Sequence, residues 1–308
     1  MSPAAIALIG IAAIAHATWN LFSKQASTTG AVYFVWLLGA GASVVYCPVV
    51  AVAAALGHPH LTGLNWLFLV GTGVIQSGYF LFLQFGYSLG DLSVMYPVGR
   101  GAGATLAAIA GIVLLGERPH LLAILGIAAI IGGVVVIGLP GPAAAAAPTA
   151  ASSGPPAAAP TVRRTAAPPL RAIAFALTTG VFIASYTVWD KYAVSDLRTP
   201  PILQGYACFP VMMVAFAPFV LRDRTRLTNF WRSFRKQVLG AVLLVPLAYM
   251  LVLTALRFTA VSAIAPAREV SVLFGVLLGG RLLGEDGLAR RMAAATAIVA
   301  GIIAIAIG

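Results

Sequence analysis

Arg100 and Arg268 stand in stretches where almost every other side chain is apolar or small, Y-P-V-G-R-G at residues 96–101 and A-P-A-R-E at residues 265–269. A guanidinium stays charged and forks onto carboxylate or phosphate, so two of them facing one space suit an anionic group. Each follows a proline closely, Pro97 and Pro266. A proline inside a helix removes one backbone hydrogen bond and can kink or unwind it, and freed carbonyls beside an arginine make a polar site at membrane depth. The competing reading is structural: Arg268 pairs with Glu269 or Asp190, and Arg100 with backbone carbonyls.

His16, Trp19 and Asn20 fall at i, i+3 and i+4, one face of a helix. Histidine titrates near physiological pH and can carry a coupling proton; its other reading is a hydrogen-bonded core residue. Tyr186, Trp189 and Asp190 repeat that spacing later in the chain. Asp190 is the best single carboxylate for proton coupling and Glu269 the second; the alternative pairs them with Lys191 and Arg268. Tyr79 and Tyr96, with Gln76 and Tyr249, add aromatic and hydrogen-bonding surface, either for a ligand or as glue between helices. Lys24 and Lys191 sit near span ends and read as reaching out to the interface. Glu117 and Glu285 read as structural or gating.

The elements that must position these residues are set by composition. Of 308 residues 60% are hydrophobic and only 9% charged, against roughly 25% charged in a soluble domain. No soluble fold of this size hides so much apolar surface, so the solvent for most of the chain is lipid. The formal charge of +11 comes from 19 Lys and Arg against 8 Asp and Glu. The basic residues are scattered between apolar stretches, which fits anionic headgroups and excludes a nucleic-acid groove. Cys47 and Cys208 lie inside apolar spans without metal-ligand spacing and read as core packing. The N-terminal apolar run lacks a basic leader and continues through Trp19 to Phe22, so it reads as a retained first span rather than a signal peptide.

Spanning hydrocarbon takes about 20 apolar residues as helix. Ten candidates run at 3–23, 31–56, 65–88, 92–115, 120–139, 170–194, 201–221, 237–256, 259–283 and 291–307. The proline- and alanine-rich segment 140–169 has no spanning pattern and reads as a flexible linker splitting the spans five and five. The segment 222–236 carries six basic residues interleaved with Phe230, Trp231 and Phe234, the composition of an interfacial segment.

An internal repeat follows the same division. R-G…L-L-G-E at 100–117 answers R-E…L-L-G-E at 268–285, Trp19 and Lys24 answer Trp189 and Lys191, and Y-C-P at 46–48 answers C-F-P at 208–210. Several matches in one order indicate duplication. Five spans per half is odd, so two copies in series insert with opposite orientation, the inverted-repeat plan of many secondary transporters. The expected fold is therefore an all-α integral membrane protein with ten transmembrane helices as two inverted five-helix repeats.

The residues H-A-T-W-N-L-F-S-K (16–24), Y-P-V-G-R-G (96–101), L-L-G-E-R-P (114–119), A-P-A-R-E (265–269) and L-L-G-E (282–285) resemble the drug/metabolite transporter superfamily, specifically its ten-helix EamA-type members. The opening His-Ala-x-Trp-Asn is also similar to a subgroup associated with phosphonate utilisation. The resemblance implies an EamA-like repeat in residues 1–139 and another in 170–308. It implies a central cavity lined by helices 1, 3, 4, 6, 8 and 9, with helices 5 and 10 at the periphery, and a coupling ion that is often a proton. It implies cytoplasmic termini, whereas the distribution of Lys and Arg among the loops favours both termini outside. Cation export by smaller relatives depends on a membrane-embedded glutamate in helix 1; the first span here carries His16 and no acid.

The functional expectation is a secondary active transporter of a small anionic or zwitterionic metabolite, an amino acid or organophosphorus compound, working by alternating access with proton coupling or exchange. The alternative is an exporter of hydrophobic cationic compounds. The expected ligand-contact set is Arg100, Arg268, His16, Trp19, Asn20, Tyr79, Tyr96, Tyr186 and Trp189, with Asp190 and Glu269 as proton-coupling candidates. An enzyme is not expected: there is no H-E-x-x-H, and His58, His60 and His120 lie in loops. No pore loop is visible, which argues against a channel. No cofactor, metal or nucleic acid is expected. The expected partners are the small-molecule substrate and a lipid bilayer, in a multi-pass bacterial inner-membrane protein that is a monomer or homodimer.

Overall fold

Where no water can satisfy backbone N–H and C=O groups, a segment satisfies them within itself, and helix is the local solution. The computed structural model describes residues 3–27, 30–115, 121–138, 170–256, 271–284 and 287–307. These form ten α-helices: α1 (Pro3–Ala26), α2 (Ala31–Gly57), α3 (Gly63–Leu89), α4 (Leu92–Leu115), α5 (Leu121–Gly138), α6 (Leu170–Ser195), α7 (Pro201–Val220), α8 (Arg224–Leu256), α9 (Ser271–Leu282) and α10 (Leu288–Ile307). Among the described residues, five helices are long and apolar enough to cross a membrane, α2, α3, α6, α7 and α8, with shorter apolar stretches at Ile124–Gly133 and Ser271–Leu282.

One of the expected spans needs correction. The eighth helix begins at Arg224 rather than at residue 237, so the basic aromatic segment is itself helical. It joins the apolar part through a break at Phe234 (φ −123°, ψ 18°). That break seats Phe230, buried and 6.1 Å from the Tyr33 ring, while Trp231 stays exposed. The ninth helix is described only from Ser271 onward; Pro266, Arg268 and Glu269 lie outside the described residues. So do Glu117, Glu285, His120 and the segment 140–169. In α4 the helix runs through Pro97 without interruption, so the proline there does not unwind it.

The helices pair across the halves. α5 packs along α10, α2 along α7 and α4 against α9; α1 packs on α8 and α9, while α6 packs on α3 and α4; α3 packs on α7, and α2 on α8. Exchanging each helix with the one five places on leaves this pairing unchanged. The halves are thus interleaved, and α5 with α10 packs on α4 and α9.

Small residues permit the closest crossings. A Cβ on Gly103 of α4 would lie 2.7 Å from Ile183 Cγ2, and one on Gly180 of α6 would lie 2.9 Å from the Gly103 backbone nitrogen. At the end of α9, Gly284 (φ 66°) takes a left-handed conformation, which accounts for the glycine in the second L-L-G-E. The burial pattern is the reverse of a soluble fold. Val44 (72% exposed), Val74 and Leu125 point outward, while Asn20, Gln84, Arg100, Asp190 and Gln204 are buried.

Candidate functional site

The inward faces of six helices enclose a small cavity of about 40 Å³. α1 contributes His16 and Trp19; α3 contributes Gln76, Tyr79 and Phe80; α4 contributes Arg100; α6 contributes Tyr186. α7 adds Gly205, Cys208 and Phe209, and α8 adds Val245 and Tyr249. The participation of α7 departs from the helix set implied by resemblance, and α9 supplies no described lining residue. A volume of this size holds about one water, whose share of liquid volume is about 30 Å³. The cavity is therefore closed down on its own side chains.

Arg100 is 5% exposed and stands nine residues into α4. Among the described lining residues there is no aspartate or glutamate, and Arg100 is the permanently charged side chain on this wall. The Trp19 indole donates to Nδ1 of His16 at 3.1 Å, which makes Nδ1 an acceptor and puts the neutral ring's proton on Nε2. Aromatic rings frame the rest: Tyr79 meets Tyr186 edge-on at 5.7 Å and Phe80 at 4.8 Å, and Trp19 lies 5.8 Å from Phe80.

The other expected site residues border the cavity rather than line it. Asn20 is fully buried one turn along α1; its amide donates to His16 O at 2.7 Å and accepts from Tyr87 Oη at 2.5 Å. Tyr96 pairs its hydroxyl with Ser271 Oγ on α9 at 2.8 Å. Trp189 donates to the Phe68 carbonyl at 2.9 Å, stacks on Phe68 at 4.2 Å, and lies over Gly71, where no Cβ fits. Asp190, 7% exposed, accepts from Thr72 Oγ1 at 2.6 Å, from Gln204 Nε2 at 2.9 Å and from Tyr249 Oη at 3.4 Å. Tyr249 both lines the cavity and hydrogen-bonds Asp190.

Four pairs of these residues stand 170 positions apart: His16 and Tyr186, Trp19 and Trp189, Asn20 and Asp190, Tyr79 and Tyr249. The repeat thus supplies both walls, and the acid replaces an amide in the second copy.

Sequence reasoning does not single out Thr72, Gln204 or the lining residues Phe80, Phe209 and Val245 as site residues. A glutamine inside the apolar run P-I-L-Q-G was the available signal for Gln204. Cys208 is buried against the cavity, but Cys47 is exposed on the outer face rather than packed in the core. Lys24 also departs from expectation. Its ammonium turns inward, donating to Tyr87 O at 2.5 Å and Gly90 O at 2.6 Å at the end of α3. A cation on the last carbonyls of a helix satisfies groups that have no intrahelical partner. Among the described residues no three His, Cys, Asp or Glu side chains gather as a metal site would need.

The model of the EamA-like transporter family matches residues 3–139 and 170–307, one copy on each half. The chain belongs to the EamA-like transporter family. It is similar to an uncharacterised transporter in the cobO 3′ region of a Sinorhizobium species, 29% identical over 100 residues, covering 31% of this chain and 70% of that protein. It is also similar to the multidrug resistance protein EbrB of Bacillus subtilis, 41% identical over 58 residues, covering 19% of this chain and 50% of EbrB. A solved crystal structure at 16% identity superposes with a TM-score of 0.57 over 98% of this chain and 96% of its own, which establishes the fold alone. The repeats, the apolar outer face and the family together make this a multi-pass membrane transporter.

Proposed function

We propose that the chain spans the membrane ten times as two inverted repeats and moves a small anionic or zwitterionic metabolite by alternating access, coupled to protons or to exchange. The observation that carries the substrate class is the buried guanidinium of Arg100 on the wall of the cavity. A guanidinium stays charged and forks onto carboxylate or phosphate, so it suits an anionic group in that cavity. Arg268, in the matching place of the second half, is proposed as its partner. Asp190 is the proposed proton carrier, since Tyr249 links it to the cavity. Because the halves interleave, the bodies that rock are α1 with α8 and α9, and α6 with α3 and α4.

A melting panel tests the substrate class. A ligand of the folded state stabilises by mass action, about 2.7 kcal/mol at a hundredfold its dissociation constant. Amino acids, phosphonates, sugar phosphates and lipophilic cations are added to the purified protein and to Arg100→Gln. The expected result is a rise in Tm with an anion or zwitterion that Arg100→Gln loses. A rise with cations alone contradicts it.

A second reading has support of its own. EbrB is named a multidrug resistance protein, and Trp19, Tyr79, Phe80, Tyr186, Phe209 and Tyr249 present aromatic faces to the cavity. Such faces bind organic cations. The same panel decides between the two.

A further inference from the structure

The contact between α1 and α3 contains polar atoms that the protein leaves unmet. Gln84 is fully buried, and neither its amide nitrogen nor its amide oxygen has a hydrogen-bond partner. Ser23 Oγ, fully buried on α1, has none either. Both residues sit on the stripes by which the two helices meet. On α3 the stripe is Phe80, Gln84 and Tyr87; on α1 it is Trp19, Asn20 and Ser23, each at helical spacing. One end is the cavity wall, where Phe80 faces Trp19 at 5.8 Å. The other end is Lys24, bonded to the carbonyls of Tyr87 and Gly90.

The chemistry of the amide selects its ligand. Gln84 needs an acceptor for its N–H groups and a donor for its oxygen. A metal cation would take the oxygen and leave the nitrogen unmet; an inorganic anion would do the reverse. Water answers both, and it answers the Ser23 hydroxyl as well. Buried water characteristically fills such positions, making about three hydrogen bonds to polar groups that lack protein partners. The spacing also suits it. His16, Asn20 and Ser23 follow one another at four and three residues, a rise of about 6 and 4.5 Å along the helix. Two hydrogen bonds of about 2.8 Å through one water span a gap of that size.

We infer that Gln84 and Ser23 form an internal water site, and that its water extends a hydrated line along the α1–α3 contact from the cavity wall at His16 and Trp19 to Lys24. The line gives protons a route between the cavity and the Lys24 end of the bundle; that role, unlike the water site, rests on the proton-coupled reading above. Tyr87, whose hydroxyl donates to Asn20, and Lys24 are the titratable groups on the route beyond His16.

Thiol chemistry tests the site directly. Ser23→Cys and Gln84→Cys are made in a Cys47→Ser, Cys208→Ser background, and Leu38→Cys, fully buried among apolar side chains, serves as the dry control. The probe is aminoethyl methanethiosulfonate on the full chain in proteoliposomes. Both site thiols are expected to react about tenfold or more faster than Cys at position 38, because only hydrated thiolate attacks the reagent. Reaction at the control rate overturns the proposal. Gln84→Met supplies a second readout. A dry, unmet amide destabilises, so its removal would raise Tm, and that result also overturns the proposal; an unchanged or lower Tm supports it. A pH-reporting dye in the vesicles separates the two readings. Reactive thiols with substrate-driven proton flux that slows in Gln84→Met support both. Reactive thiols without any flux in the parent leave the water site standing and contradict proton coupling.

Discussion

The Trp19 indole nitrogen donates to Nδ1 of His16 at 3.1 Å, one turn earlier on the same helix. A second proton on His16 would have to enter at Nδ1, where the indole N–H already points, so charging the ring requires the indole to move. Trp19 therefore couples the state of His16 to the cavity wall it helps to form. In ¹⁵N-histidine spectra of the wild type His16 is expected as the neutral Nε2–H tautomer, and in Trp19→Phe as a mixture of the two neutral tautomers. An Nδ1–H tautomer in the wild type contradicts the contact.

Asp190 is held by three neutral donors, Thr72, Gln204 and Tyr249. Asn in its place keeps an oxygen for Thr72 and is nearly isosteric. Asp190→Asn is expected to fold with a Tm near the parent's and to lose substrate-driven proton movement. Asp190→Ala strands buried partners, at a cost of about 1–3 kcal/mol for each unmet group. Proton flux at the parental rate in Asp190→Asn removes Asp190 from the coupling path.

Each end of the bundle carries a polar tie between elements. At one end Arg291 of α10 bonds Asp91 at 2.8 Å and also Ser93, across the α3–α4 turn that Lys24 holds from α1. At the other, Asn65 at the start of α3 donates to Leu197 O at 3.1 Å and Thr199 Oγ1 at 2.9 Å in the α6–α7 turn. Cys208 lines the cavity between them and reports access. In a Cys47→Ser background, Asp91→Asn is expected to raise labelling of Cys208 by impermeant reagents several-fold from the Lys24 end, and Asn65→Ala from the opposite end, since loss of one clamp shifts a two-state equilibrium by about its own free energy. Labelling from the same end in both variants contradicts the two-clamp account.

The α4–α6 crossing depends on glycine. A Cβ on Gly180 would approach Ala102 Cβ to 2.6 Å and the Gly99 carbonyl to 3.0 Å, and backbone does not yield as a side chain does. Gly180→Val is expected to lower stability by about 1–3 kcal/mol, read as a fall in Tm in detergent. An unchanged Tm would mean that α6 does not approach α4 this closely.

Much of this was legible in the sequence because lipid leaves few choices. Apolar runs of spanning length had to be helix, and the repeat fixed which helices correspond. The start of α8 was misplaced because Arg224–Phe234 is amphipathic and charged, so hydropathy ends there although the helix does not. His16, Trp19, Tyr79, Arg100 and Tyr186 were placed together by helical spacing and cost of burial, and they do line one cavity. Trp189 and Tyr96 were grouped with them by the same rule, yet each turns to a neighbour on another helix. Spacing gives the face of a helix but not its rotation against its partners. Thr72 and Gln204 escaped notice for a related reason, because only the packing of α3, α6 and α7 makes them neighbours of Asp190.

The most direct test of the account is counterflow in proteoliposomes loaded with the anionic or zwitterionic solute found by the melting panel. Uptake of labelled solute is compared for the parent, Arg100→Lys and Arg100→Gln. The account predicts saturable counterflow that is lost in Arg100→Gln and partly kept in Arg100→Lys, since lysine retains the charge without the fork. Counterflow in Arg100→Gln at the parental rate, or exchange of lipophilic cations alone, would contradict it.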